Sequence, residues 1–456
     1  MVPAARLGDL IQLLDAVETA MGRRAAPMDR LVRGFFRTRR YAGSGDRRAI
    51  REAAFSLLRH RALLLWSAEE AAVPGASGPT GRALVLAALV MPEDSRPHWI
   101  DAGLFGHGPY GPDALDEDEQ AALARLHQLD VSAAPEAARL GIPHWALDGL
   151  TRRFGTGLAA AMAALNSRAG LDVRLNPLKL AGLMDVMGHL PDGFEPVLFS
   201  PIGLRSATPV DLSGTKALAR GWVEIQDEAA QIACLMAAPK PGMQVLDLCA
   251  GAGGKSLLMA ALMAGKGQIH ACDIARGRLQ ELKKRAARAG AHNIQPVLLN
   301  REGARRESAL AHLADAMDRV VVDAPCTGTG TWRRNPDQRW RGDGDWLRAQ
   351  AGRQRALLLE AARAVKPGGR LIYMTCSLLP EENEDVVADF LRQTDGAFEA
   401  MPIRGLWAEA GLGLPIPESL DPAGESSLPA GLGLQLAPHR HGTDGFFLAV
   451  LRRAPS

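Results

Sequence analysis

No apolar run in this 456-residue chain approaches the roughly 20 residues that span a bilayer, and the stretch 84–91 is far too short. The first residues do not read as a signal peptide: Asp9, Asp15 and Glu18 break the apolar positions, while Leu7, Leu10, Leu14 and Val17 recur at helical spacing. A soluble, cytoplasmic protein is expected. Cysteine is scarce, five residues with no CxxC pair, so no zinc or other metal site is expected. An odd count in a large chain of this kind also argues against a disulfide framework, leaving Cys234, Cys249, Cys272, Cys326 and Cys376 as packing groups or reactive thiols. Net charge is only +2, so any basic footprint must be local. What is plentiful is apolar residue, 47%, enough for the cores of two or three domains.

Residues 1–130 read as helical. Met28, Leu31, Val32 and Phe35 form one stripe and Ile50, Ala54, Leu57 and Leu58 another, with Asp46 expected as the N-cap of the second. Ten arginines between Arg30 and Arg61 face only Asp46 and Glu52, a local excess of eight positive charges. That excess suits either a solvated helical face or RNA. Residues 74–119, rich in Pro and Gly and then acidic, are expected to carry irregular connections. Residues 133–221 read as a small α/β module, with a strand at 171–176 ended by Pro177. From 222 to 456 strands at 244–249, 269–273, 294–299, 319–323 and 370–376 alternate with helices, the period of a parallel doubly wound sheet. Residues 446–451 are expected as a late edge strand.

The loop after the first of these strands runs Asp247, Leu248, Cys249, Ala250, Gly251, Ala252, Gly253, Gly254, Lys255, Ser256. It lacks the first glycine of a P-loop and the third of a dinucleotide fingerprint. It suits a methyltransferase loop, in which glycines admit a nucleoside and methionine tail and Asp247 meets the amino group. Asp273, at the end of the next strand, can accept hydrogen bonds from ribose hydroxyls. A tight turn without a ligand is the plainer alternative.

The discriminating feature is a pair of thiols. Cys326 follows Asp323-Ala324-Pro325 and Cys376 follows Thr375, each at a strand end. Carboxyl ends of neighbouring strands open on the ligand crevice of such sheets, so the two thiols are expected to meet beside the cofactor loop. Carbon 5 of cytosine is a poor nucleophile until a thiolate adds at carbon 6, and the base must first leave its stack. Lys255 and a cationic sulfonium can favour the thiolate, and Asp323 can hydrogen-bond the cytosine edge. Two buried packing cysteines are the plainer alternative.

Residues 323–337 and 375–383 closely resemble the signatures of the RsmB/Nop RNA 5-methylcytosine methyltransferases. The glycine loop, Gln226-Asp227-Glu228 and Thr443-Asp444-Gly445-Phe446-Phe447 look like theirs too. The arginine-rich N-terminal segment is similar to the NusB-like RNA-binding domain of bacterial members. The resemblance implies an α/β fold. A class I, Rossmann-like methyltransferase domain would occupy 222–456, an all-α NusB-like domain 1–130 and a small α/β linking module 133–221. It implies S-adenosylmethionine as cofactor and RNA as partner, ribosomal RNA ahead of transfer RNA; a monomer is expected. Cys376 would be the nucleophile, Cys326 would assist release, Asp323 would contact cytosine and Lys255 would lie near the reacting centre. Asp247, Cys249, Ala250, Gly251, Ala252, Gly253, Gly254, Lys255, Asp273, Arg278, Asn300 and Asp323 would bind the cofactor. The chain departs from the family at Gly251-Ala252, where Ala-Pro is common, at Thr327, where serine is common, and at Asn300, where aspartate is usual. Trp332, Arg333, Arg334, Arg339 and Trp340, following Cys326, are expected to meet an RNA strand. Two readings compete with the enzyme: an idle RNA-binding factor, and a transferase acting on a small molecule.

Overall fold

The stripe Leu7, Leu10, Leu14 and Val17 is fully buried on α1 (Pro3–Gly22) in the computed structural model, which describes residues 1–22, 28–78, 80–91, 96–208, 210–413, 415–419 and 427–455. Among these residues no helix is long and apolar enough to cross a membrane. The chain forms two compact units. The first comprises Met1–Asp148, Met162–Ser167 and Thr331–Gly344; the second comprises Gly149–Ala161, Arg168–Gly330 and Asp345–Ser456.

In the first unit α1 shares a core with α2 (Met28–Thr38), α3 (Ser44–Arg59), α4 (Arg61–Glu70), α5 (Gly81–Ala88) and α6 (Glu117–Gln128). Ile50, Ala54, Leu57 and Leu58 are buried as their spacing requires, and on α2 the buried positions are Met28, Val32 and Phe36. Two expectations fail here. Asp46 does not cap α3, which begins two residues earlier after Gly43; its carboxylate instead accepts from Arg6 Nη2 at 2.7 Å and from the N-terminal amine at 3.3 Å. The 74–119 stretch does carry irregular connections, around short helical segments. It contains α5, buried at every position except Arg82, with Thr80 as N-cap accepting from the Ala83 N–H at 3.1 Å. The segment after Cys326 folds into this unit's interior. Trp332 and Arg339 are fully buried and Arg333 nearly so. Arg339 donates to the Gly141 carbonyl at 3.0 Å and to Asn166 Oδ1 at 2.7 Å, with its guanidinium 4.6 Å above the Trp332 ring. A buried guanidinium requires acceptors, and once they close around it no nucleic acid can reach it.

In the second unit residues 171–225, the later part of the module expected at 133–221 and a strand just beyond it, form a four-stranded antiparallel sheet. Its strands are β1 (Leu171–Leu175), β2 (Phe194–Pro196), β3 (Gly203–Ser206) and β4 (Val223–Ile225), in the order β2-β3-β1-β4. The larger sheet holds β5 (Gln244–Asp247), β6 (Gln268–Asp273), β7 (Ile294–Leu298), β8 (Met317–Asp323), β9 (Val365–Thr375), β10 (Phe398–Ala400), β11 (Gly433–Leu436) and β12 (Phe446–Arg453). Its order is β10-β12-β9-β8-β5-β6-β7, with β11 also on β12. Strands β5 to β9 are parallel, as their alternation with helices predicts. The expected edge strand β12 is interior: it runs antiparallel to β9 on one side and to β10 and β11 on the other. The short strands that cover it carry too few apolar alternations to be read from sequence. Chain order runs outward from β5 through β6 to β7, then returns to β8 and β9. The switch point therefore lies between β5 and β8, where such sheets open a ligand crevice.

Candidate active site

Two carboxylates and a lysine stand at this switch point. Asp247 ends β5, fully buried; its Oδ2 accepts from Ser256 Oγ at 2.6 Å while Oδ1 has no partner. Burial pushes Asp247 up to about 7. A buried carboxylate oxygen left unpaired is costly in the free protein and fits a cationic ligand group, such as the amino group of a methionine tail. Lys255 Nζ meets Asp323 Oδ2 at 2.5 Å and lies 5.3 Å from the centre of the Phe446 ring. Burial alone would lower the ammonium's pKa, but the Asp323 carboxylate outweighs it and Lys255 is held above its ordinary value.

The glycine loop is shaped by its backbone. Gly251 and Gly253 both take positive φ, +57° and +82°, and a Cβ on Gly253 would lie 2.6 Å from Leu282 Cγ. The Gly251 N–H donates to Asp273 Oδ2 at 2.8 Å and the Ala275 N–H to Oδ1 at 2.7 Å. Asp273 thus fastens the loop to the end of β6, and a carboxylate's remaining lone pairs stay open to a hydroxyl. Where the family has proline, Ala252 offers its carbonyl to Arg285 Nη1 at 2.8 Å, and Arg285 is held in turn by buried Glu224 at 2.9 Å. Ala250 is buried, Cys249 half-buried with its thiol pushed up by burial, and Gly254 opens the helix Gly254–Leu262. Arg278 is exposed, its guanidinium 3.9 Å from where a Cβ on Gly251 would stand. Asn300 is exposed just beyond β7, its backbone carbonyl accepting from Arg306 at 3.1 Å.

Cys326 and Cys376, 50 residues apart in sequence, meet with their sulfurs 3.4 Å apart. Neighbouring β8 and β9 deliver them, Asp323 pairing in register with Met374. The hydrogen bond with Cys376, followed by burial, pushes the Cys326 thiol well above its usual range. Cys234 and Cys272 are fully buried, Cys272 within an apolar cluster, and burial pushes both up to about 12.

Several residues around the thiols went unassigned from sequence. Glu382 is fully buried and bonds to Thr327, Ser377 and Gln354. Asn383 accepts from Thr375 Oγ1 at 2.6 Å and donates to the Ser377 carbonyl at 3.0 Å. Gly445 donates to the Gly330 carbonyl at 2.9 Å, an approach so close that a Cβ on Gly330 would sit 2.1 Å from the Gly445 oxygen. Asp227 caps the helix Glu228–Ala237 and accepts from the Asp444 N–H at 3.1 Å, which ties the two short motifs together. The available signal was the position of Glu382-Asn383 in the string after Cys376.

This fold and site define an S-adenosylmethionine-dependent methyltransferase of class I. A family model described as 16S rRNA methyltransferase RsmB/F matches residues 234–452. The probable ribosomal RNA small subunit methyltransferase B of Synechocystis sp. is 31% identical over 339 residues, 72% of this chain and 70% of the relative. The crystal structure of PH0851 superposes with a TM-score of 0.72 at 26% identity, covering 99% of each chain. A methyltransferase homolog protein from Pyrococcus horikoshii superposes at 0.58 with 28% identity, covering 71% of this chain and all of its own. The chain belongs to the RsmB/F family of RNA methyltransferases.

Proposed function

We propose that the protein methylates carbon 5 of a cytosine in RNA through a covalent adduct with Cys376. The observation that carries the reading is the 3.4 Å separation of two free thiols at adjacent strand ends. S-Adenosylmethionine supplies an electrophilic methyl on a sulfonium; Asp247, Asp273 and the loop 249–255 would hold it, with Arg278 and Asn300 at the adenosine end. Cys376 adds as thiolate to carbon 6, forming a sulfur–carbon bond and breaking the carbon 5–carbon 6 double bond. Asp323, beside Lys255, holds the polar edge of the extruded base while carbon 5 becomes nucleophilic towards the methyl. After methyl transfer the carbon-5 proton leaves to solvent, the double bond re-forms and the sulfur–carbon bond breaks, returning its electron pair to Cys376. Cys326, still a thiol, holds a proton against the departing thiolate.

For RNA rather than a small molecule speak Arg30, Arg33, Arg37, Arg40, Arg48 and Arg51. All are exposed on or between α2 and α3, with no ion-pair partner among the described residues. That is an electrostatic footprint for phosphates. The Synechocystis relative is named for small-subunit ribosomal RNA, and that substrate is carried over as part of this reading, with transfer RNA as the second choice. Bisulfite sequencing of both RNAs from cells lacking the gene tests the substrate. For the chemistry, Cys326→Ala should accumulate a covalent protein–RNA adduct on denaturing gels and Cys376→Ala should form none. The reverse pattern would exchange the two roles, and methylation of free nucleosides but not RNA would favour a small-molecule transferase.

A further inference from the structure

We infer that Glu382 is the positioning residue that brings the two thiols together, by tying down the residue that follows each cysteine. The inference rests on the reading of Cys326 and Cys376 as the reacting pair. Glu382 Oε1 accepts the Thr327 N–H at 2.9 Å and Gln354 Nε2 at 3.0 Å; Oε2 accepts the hydroxyls of Thr327 and of Ser377, the latter at 2.5 Å. Thr327 follows Cys326 and Ser377 follows Cys376, so one carboxylate bridges two strand ends far apart in sequence. Neighbouring bonds close the same gap. Gln354 also donates to the Pro325 carbonyl at 3.0 Å, and the Gly330 N–H donates to the Cys376 carbonyl at 2.9 Å. Thr329 Oγ1 lies 3.1 Å from Ser377 Oγ. Tyr373 Oη donates to the Glu382 carbonyl at 2.6 Å, fixing the backbone that carries the carboxylate. An apolar side chain could fill this space without the desolvation penalty of a charge. Four donors converging on one fully buried carboxylate instead fix direction as well as distance. Being buried, Glu382 acts through the two loops and does not touch substrate.

The test uses the full chain, labelled S-adenosylmethionine and an unmodified small-subunit ribosomal RNA transcript. Thr327→Val removes one donor at nearly constant volume and Thr327→Ser restores it. The valine variant should lose about tenfold in kcat, with KM for S-adenosylmethionine unchanged and serine recovering the rate. A second readout needs no RNA. A diazene oxidant takes two electrons and two protons from paired thiols, leaving a disulfide, and peptide mass analysis times the Cys326–Cys376 link. That link should form several-fold more slowly in Thr327→Val and slower still in Glu382→Gln. Unchanged kcat and disulfide rate in Thr327→Val would overturn the inference. So would a fall in kcat accompanied by a raised KM for S-adenosylmethionine or an unchanged disulfide rate. If Glu382→Gln does not fold, the valine–serine pair decides alone. Failure of any cysteine variant to trap RNA would count against the thiol reading instead, because the disulfide readout is independent of RNA.

Discussion

Two arginine-rich stretches of the first unit share a composition and have opposite fates. Along α2 and α3, Arg30, Arg33, Arg37, Arg48 and Arg51 project into solvent, on faces opposite the buried Met28, Val32, Phe36 and Ile50. Between Trp332 and Arg341, Arg333 and Arg339 are buried, with Arg339 bonded to two backbone carbonyls and one side-chain amide. The α2 arginines sit on a helix whose carbonyls are already taken by its own amides, whereas Arg339 lies on a short 3-10 turn, Pro336–Trp340, beside loop carbonyls that need donors. Charge density along the chain therefore says nothing about access; the supply of partners decides it. Asp247 is a third case: like Nε and Nη2 of Arg339, its Oδ1 is buried without a partner.

The comparison breaks most visibly at Arg339. Arg339→Met keeps the bulk and leaves three acceptors unpaired, so it should lower stability by roughly 2–3 kcal/mol in urea unfolding. A change below about 0.5 kcal/mol would show that these bonds carry no weight.

Asp247→Asn should weaken S-adenosylmethionine binding about tenfold in calorimetry without lowering the melting temperature, because it removes an unpaired buried charge. The direction with pH follows from its raised value. The ligand-free fold binds this proton more tightly than the unfolded chain between about 4 and about 7. Its stability should therefore fall as pH rises through that window and level off above it. Binding of the ammonium group should weaken as pH falls below about 7, and both dependences should flatten in the asparagine variant.

The smallest effect is expected on the exposed face. Replacing Arg30, Arg33 and Arg37 together by Ala should lower RNA affinity a few-fold at physiological salt and reduce the slope of log affinity against log salt by about 2. Stability should stay within about 0.5 kcal/mol. An unchanged salt slope would place the RNA elsewhere.

Much of the second unit was legible before the structure because its signals are local and repeated. The β5 loop announces itself through Gly251 and Gly253, whose positive φ only glycine adopts cheaply. The parallel strands read clearly because each is a short apolar run followed by a helix. What escaped were β10 and β11, too short to show a period, and with them the interior place of β12. Glu382 escaped for a related reason: nothing near it in sequence says that Thr327 and Gln354 will converge on it.

Local pattern alone decided where the helices and parallel strands lie, where the glycine loop turns, and that two thiols stand at strand ends, since each depends on residues within a few positions of one another. Tertiary structure alone decided which charges are buried, that the two sulfurs meet at 3.4 Å, and which acceptors surround Arg339 and which donors surround Glu382. Those outcomes depend on partners tens to hundreds of residues away. Hydrogen bonding and desolvation select such partners only once the chain has folded.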